Sequence, residues 1–142
     1  MPTRKASAKW EGGLKNGKGS FKGESGAIDA TYSFGSRFES AKGSNPEELL
    51  AAAEAACFSM ALSLGLEQNG TPPTSVETTA ACTVAAQDGG FRITTMALDV
   101  RAKVPGIDAA KFRQIAEATK EGCPVSKAIK GNVELTLNAQ LV

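Results

Sequence analysis

The sequence predicts an α+β fold, and three observations predict it. Strand-like alternation and turn residues fill the first 35 positions, a long apolar segment with a sharp helix-start signal follows, and the remainder orders as two strands, two helices and a final strand. That order lacks the regular strand–helix alternation of βαβ proteins. At 142 residues, with 42% hydrophobic and 22% charged side chains, the composition is that of one globular domain, read as residues 1–142.

Residues 4–35 read as a β meander. Ala8 to Trp10 leads into Gly12-Gly13, Asn16-Gly17 supplies the pair that tolerates a left-handed backbone in a tight hairpin, and Ala27 to Phe34 alternates with Ile28, Ala30, Tyr32 and Phe34 on one face. From Gly35 to Ser44 the alternation is lost, and the segment carrying Arg37, Phe38, Glu39 and Lys42 reads as a loop. Asn45-Pro46-Glu47-Glu48 opens a helix, with Asn45 as N-cap, Pro46 at the first helical position and acids in the first turn. This central helix spans 46–66, ends before Gly70, Pro72 and Pro73, and is apolar round nearly its whole circumference. Such a helix is expected to be buried on all sides, which a chain this small achieves best by pairing with a second copy.

Residues 76–142 read as β-β-α-α-β. Val76 to Ala86 and Phe91 to Val104 are strands joined at Asp88-Gly89-Gly90, and Pro105-Gly106 breaks the second. Asp108 caps a helix over Ala109 to Glu121 whose Ala110, Phe112, Ile115 and Ala116 form an apolar stripe. Gly122 stops it, Cys123-Pro124 opens a short helix through Ile129, and Val133 to Leu141 alternates as a final strand.

Composition excludes several function classes. Sixteen basic against fifteen acidic residues leave a net charge of +1, so no electrostatic footprint for nucleic acid or an anionic membrane exists. The absence of histidine removes Ser-His-Asp and Cys-His hydrolysis and His-ligated metal or haem, and three cysteines fall short of a four-thiolate metal site. No apolar run follows the basic residues within Met1 to Lys9, and Glu54 interrupts the apolar stretch from Leu49 to Leu66, so neither a signal peptide nor a membrane span is expected. The expected compartment is the cytoplasm. There an odd set of three cysteines points away from a disulfide framework and towards a transient or catalytic thiol pair.

Each thiol has a plain and a chemical reading. Cys57, in the middle of the apolar helix, is either a small core hydrophobe or a reactive thiol. Cys123, where a helix begins, is either a cap or a thiol whose ionised form the helix start favours. Cys82 sits in an alternating strand without charged neighbours and reads as packing. Glu54 lies three residues before Cys57 on nearly the same helical face, where its charge would raise the thiol pKa unless paired. Glu47 lies ten residues before Cys57, about 15 Å along a helix axis, so the two cannot touch within one straight helix. Cooperation between them requires a carboxylate from a second chain; otherwise Glu47 simply suits the first helical turn.

The strings Lys42-Gly43-Ser44-Asn45-Pro46-Glu47-Glu48-Leu49-Leu50, Ala55-Ala56-Cys57-Phe58-Ser59-Met60-Ala61-Leu62-Ser63 and Gly122-Cys123-Pro124-Val125-Ser126 resemble the OsmC/Ohr family of peroxide-removing proteins. With Trp10-Glu11-Gly12, Arg37-Phe38 and Val104-Pro105-Gly106-Ile107-Asp108 the similarity extends over essentially the whole chain and leans to the OsmC branch. The resemblance implies an intertwined α+β homodimer, with long central buried helices between antiparallel-rich sheets and two active sites at the interface. It implies a thiol peroxidase in which Cys57 is oxidised by an organic hydroperoxide, Cys123 resolves the product as a disulfide, and Arg37 and Glu47 of the other chain hold and activate Cys57. A dithiol reductant of the lipoyl type is implied, and the cycle needs no metal, haem or nucleotide cofactor. Phe38, Phe58 and Met60 are candidates for an apolar substrate wall. Where close relatives often carry histidine three residues before the reactive cysteine, this chain has Glu54. Two other functions fit the same elements: a thiol redox sensor, and a carrier of a small apolar ligand.

Overall fold

Trp10, Gly19 and Tyr32 stand side by side across three strands, and their packing organises the first of the two units into which the chain gathers, residues 1–49 and 50–142. The computed structural model describes residues 1–142 throughout. Strands β1 (Ala6–Glu11), β2 (Lys18–Gly23) and β3 (Asp29–Tyr32) form an antiparallel sheet in chain order. A Cβ on Gly19 would lie 2.5 Å from the Tyr32 ring and 2.7 Å from that of Trp10. Its absence lets the two rings meet over the strand, with centroids 5.3 Å apart. Phe21, two residues on, extends the cluster to Tyr32 at 5.5 Å.

Two parts of this unit differ from the sequence expectation. The β1–β2 register ends at Glu11↔Lys18, so residues 12–17 form a six-residue loop in place of a tight Asn16-Gly17 hairpin. The loop is shaped by Trp10, whose Nε1 donates to the Gly12 carbonyl at 3.1 Å. Residues 34–38, read as strand end and loop, form helix α1 (Phe34–Phe38). A reciprocal cap starts it: the Ser36 N–H donates to Ser33 Oγ at 3.1 Å and the Ser33 N–H donates to Ser36 Oγ at 2.9 Å.

Helix α2 runs from Pro46 to Gln68, two residues beyond the expected end. Asn45 caps it as anticipated, its Oδ1 accepting from the Glu48 N–H at 2.8 Å, while its Nδ2 donates to the Ser36 carbonyl of α1 at 3.0 Å. Glu48 accepts from the Ser44 hydroxyl instead of reaching back to the cap backbone. The helix is long and apolar enough to cross a membrane by length and composition, its most apolar 18 residues having a mean hydropathy of 1.8. Burial on all sides does not hold within one chain. Glu54, Phe58, Leu62 and Leu66 are buried at four-residue spacing, whereas Ala52, Ala53, Ala56, Met60 and Leu64 are exposed on the opposite stripe.

In the second unit, β4 (Ser75–Gln87) and β5 (Gly90–Lys103) make a long hairpin closed by Asp88-Gly89, both with positive φ (53° and 80°). Strand β6 (Glu134–Leu141) joins the other edge of β5 in parallel, an orientation that alternation alone does not disclose. A parallel neighbour needs a crossover, supplied by α3 (Ala109–Gly122) and α4 (Pro124–Ile129). The inward side chains of β5, Met96, Leu98, Val100 and Ala102, share one core with the buried stripe of α2 and with Phe112 and Ala116 of α3. The α3 stripe is Phe112, Ile115, Ala116 and Thr119, with Ala110 exposed, because at about 100° per residue Ala110 lies on the side of the helix opposite these four.

Candidate active site

Arg37 and Glu47 meet within the first unit. Nε of Arg37 donates to both carboxylate oxygens of Glu47 at 3.2 Å, and Nη2 donates to Oε1 at 2.8 Å. Two neighbouring elements set up this pair: α1 presents Arg37 in its last turn, and the Asn45 bridge to Ser36 fixes the start of α2, where Glu47 occupies the first turn. Glu47 is buried and Arg37 about one-third exposed (34%), so the guanidinium keeps an open face while its charge is oriented by the carboxylate. That guanidinium also lies 5.1 Å from the centroid of the Phe38 ring. Beside it, Trp10, Leu14, Tyr32, Phe34 and Phe38 line a mostly aromatic hollow of about 220 Å³. Phe38 is thus one wall of a cavity that ends on Arg37. Trp10, Leu14 and Tyr32, which share it, were not recognisable from sequence because only cross-strand packing brings them together.

The two candidate thiols meet in the second unit. Cys123 Sγ lies 3.0 Å from Cys57 Sγ, although the two stand 66 positions apart in the chain. Both are free cysteines. Cys123 has no exposed surface and sits at the junction of α3 and α4, where its N–H donates to the Thr119 carbonyl at 2.8 Å. Its side chain makes no capping hydrogen bond, so the sulfur is aimed at Cys57 and not at the helix it precedes. Cys82 packs against the core from β4, where its cross-strand partner is Met96.

The surroundings of Cys57 within its own unit disfavour the thiolate. Burial raises its pKa above that of an ordinary thiol, the hydrogen bond with Cys123 adds to this, and the charge of Glu54 contributes a smaller push; the Val125 N–H works the other way. No cation stands among the groups that set the Cys57 pKa. Glu54 has no exposed surface; its Oε1 accepts from Ser126 Oγ in α4, and its Oε2 has no partner. Ser126 was not singled out in the sequence, although the spacing that places Glu54 three before Cys57 also places Ser126 three after Cys123. Phe58 belongs to the core, with no exposed surface, since it falls in the α2 stripe facing β5; it offers no wall to an open pocket. Met60 lies on the opposite stripe, 77% exposed.

An α+β chain with a mixed three-stranded sheet, a long helix and two free, apposed cysteines defines a dithiol protein. The chain matches the sequence model of the OsmC-like protein family over residues 39–138 and belongs to the OsmC family. It is 51% identical over 139 residues to a protein of Escherichia coli (strain K12) named peroxiredoxin OsmC, covering 97% of this chain and 96% of that one. It is 39% identical over 100 residues, 70% of this chain and 71% of the other, to the organic hydroperoxide resistance protein OhrB of Bacillus subtilis (strain 168). The crystal structure of OhrB of Bacillus subtilis superposes with a TM-score of 0.77 at 28% identity, covering 96% of this chain and 98% of that one.

Proposed function

We propose that this chain is a cysteine-based peroxidase that reduces organic hydroperoxides ahead of hydrogen peroxide. The observation that carries the reading is the 3.0 Å approach of Cys123 Sγ to Cys57 Sγ, a dithiol poised for disulfide closure. The names of its relatives, a peroxiredoxin and an organic hydroperoxide resistance protein, support the same role.

In the cycle, the Cys57 thiolate attacks the distal oxygen of the hydroperoxide. The O–O bond breaks, the alkoxide leaves with a proton as alcohol, and Cys57 becomes a sulfenic acid. The Cys123 thiol condenses with it: the S–O bond breaks, the S–S bond forms, and water leaves. A dithiol, of the lipoyl type in this reading, then reduces the disulfide to two thiols and is itself oxidised to a disulfide. Arg37 supplies the positive charge that the thiolate and the polarised peroxide require, with Glu47 fixing its direction. The aromatic hollow beside Arg37 favours an organic substituent over a bare hydroxyl.

Glu47 and Cys57 stand ten residues apart, about 15 Å on a helix, so the pair acts on the thiol of a second copy. The exposed apolar stripe of α2, Ala56, Met60 and Leu64 among it, is the surface such a homodimer would cover. A reducing cytoplasm fits a cycle that returns to the dithiol.

The test is consumption of cumene hydroperoxide and of hydrogen peroxide with dihydrolipoamide as reductant, by wild type and Cys57→Ser. Turnover that is faster with the organic substrate and lost in Cys57→Ser is expected. Absence of turnover from folded, reduced protein would overturn the proposal and leave a redox sensor or ligand carrier.

A further inference from the structure

Glu54 is the buried titratable group that the cycle above leaves unused. It has no exposed surface, one carboxylate oxygen accepts from Ser126 Oγ, and the other has no partner. A buried carboxylate with an unfilled acceptor weakens a fold compared with an apolar residue of similar size. Core packing therefore does not account for it, but its position does. Glu54 precedes Cys57 by three residues on α2, and Ser126 follows Cys123 by three residues in the first turn of α4. The Glu54–Ser126 bond and the Cys57–Cys123 contact thus tie together the same two segments, one turn apart.

We propose that Glu54 is a positioning residue for the resolving step: through Ser126 it braces the first turn of α4 against α2 and so holds Cys123 within closing range of the Cys57 sulfenic acid. This rests on the Cys57–Cys123 reading given above. In that step the Cys57 S–O bond breaks, the S–S bond forms, and the Cys123 proton leaves with the hydroxyl as water. The sulfurs must move from 3.0 Å to the ~2.05 Å of a disulfide, so an offset of about 1 Å in α4 is comparable with the whole displacement. Misplacement on that scale slows a reaction by about a hundredfold where geometry is limiting. Resolution competes with further oxidation of the sulfenic acid, so a loose α4 shows itself as sulfinic acid at Cys57.

The experiment is a single turnover of the full chain with cumene hydroperoxide, without reductant, quenched with an alkylating agent and read by intact mass. Wild type, Ser126→Ala, Glu54→Ala, the double variant and Glu54→Gln are compared. Disulfide closure about tenfold or more slower in each alanine variant is expected, with sulfinic acid accumulating under excess peroxide. The double variant should be no slower than either single, because one bond is removed in all three. Glu54→Gln keeps an acceptor oxygen for Ser126 and should close within about twofold of wild type. Alanine variants that close at the wild-type rate, effects that multiply in the double variant, or a Glu54→Gln as slow as Glu54→Ala would each overturn the brace alone. A wild type that forms no disulfide would overturn the reading of the thiol pair, and the brace with it.

Discussion

Arg37 holds Glu47 through three contacts, Nε to both carboxylate oxygens at 3.2 Å and Nη2 to Oε1 at 2.8 Å. A planar guanidinium gripped in this way has one orientation, which an ammonium on a flexible stem does not. Arg37→Lys should keep the charge and lose the direction. The expected result is a fall in kcat/KM for cumene hydroperoxide of about ten- to hundredfold, the equivalent of one charge-assisted hydrogen bond of ~1.5–3 kcal/mol. Glu47→Ala should slow thiol oxidation in the same range while thermal unfolding shows the protein still folded. Unchanged peroxide kinetics in either variant would remove the pair from the mechanism.

The pH profile of Cys57 gives an independent check on Arg37. Burial, Cys123 and Glu54 together raise the Cys57 pKa within its own unit. Arg37→Met should therefore move the midpoint of Cys57 alkylation alkaline of the wild type, and of the ~8.5 of a free thiol. The sign for stability follows: a thiol whose folded pKa is raised contributes stability that is complete below the unfolded pKa and is lost as pH rises through the folded one. Denaturant unfolding of Arg37→Met should weaken alkaline of pH ~8.5, and Arg37→Met combined with Cys57→Ser should not show that loss. Alkylation curves that superpose for wild type and Arg37→Met would refute the assignment.

Cys123→Ser separates oxidation from resolution. The variant should react once with hydroperoxide at a rate close to wild type and then accumulate sulfinic and sulfonic acid at Cys57, visible by mass spectrometry. Normal cycling with a dithiol would show that another thiol resolves the sulfenic acid.

The exposed stripe of α2 predicts a quaternary structure. Met60 is 77% and Leu64 55% exposed. Met60→Glu with Leu64→Glu should leave the buried stripe of Phe58, Leu62 and Leu66 untouched, yet convert a dimer to monomer in analytical ultracentrifugation and abolish peroxidase activity. A wild type that sediments as a monomer at working concentration would exclude an active site shared between chains.

Gly65 marks the close approach of α2 to α3. A Cβ there would lie 2.9 Å from Cγ2 of Ile115. Alanine gains about 1 kcal/mol in helix propensity over glycine but must displace a packed side chain, at about 1–3 kcal/mol. Gly65→Ala is expected to be neutral to destabilising by about 2 kcal/mol in urea unfolding, and a clear stabilisation would show that Ile115 yields freely.

These outcomes bear on what the sequence makes legible. Local chemistry was readable: Asn45 and Asp108 cap their helices, and Asp88-Gly89 closes its hairpin, because each depends on neighbours in the chain. Helix α1 was not, since its start rests on two serines bonding to each other's backbone within a segment lacking apolar periodicity. The parallel β5–β6 pairing was not, because alternation is the same for either direction. At the site, helix arithmetic separated Glu47 from Cys57 and motif resemblance joined Cys57 to Cys123. The bond between Glu54 and Ser126, 72 residues apart, needed the fold itself.

The 66-position separation of Cys57 and Cys123 also sets a clock. Translation at about 5–20 residues per second makes the first thiol roughly 3–13 seconds before the second. Strand β6, which completes the sheet beside β5, is made later still. In the cycle proposed above, each nascent chain carries the thiol that peroxide oxidises before it carries the one that resolves it. On that reading, Cys57 has no resolving thiol within its own chain for as long as that stretch is being made.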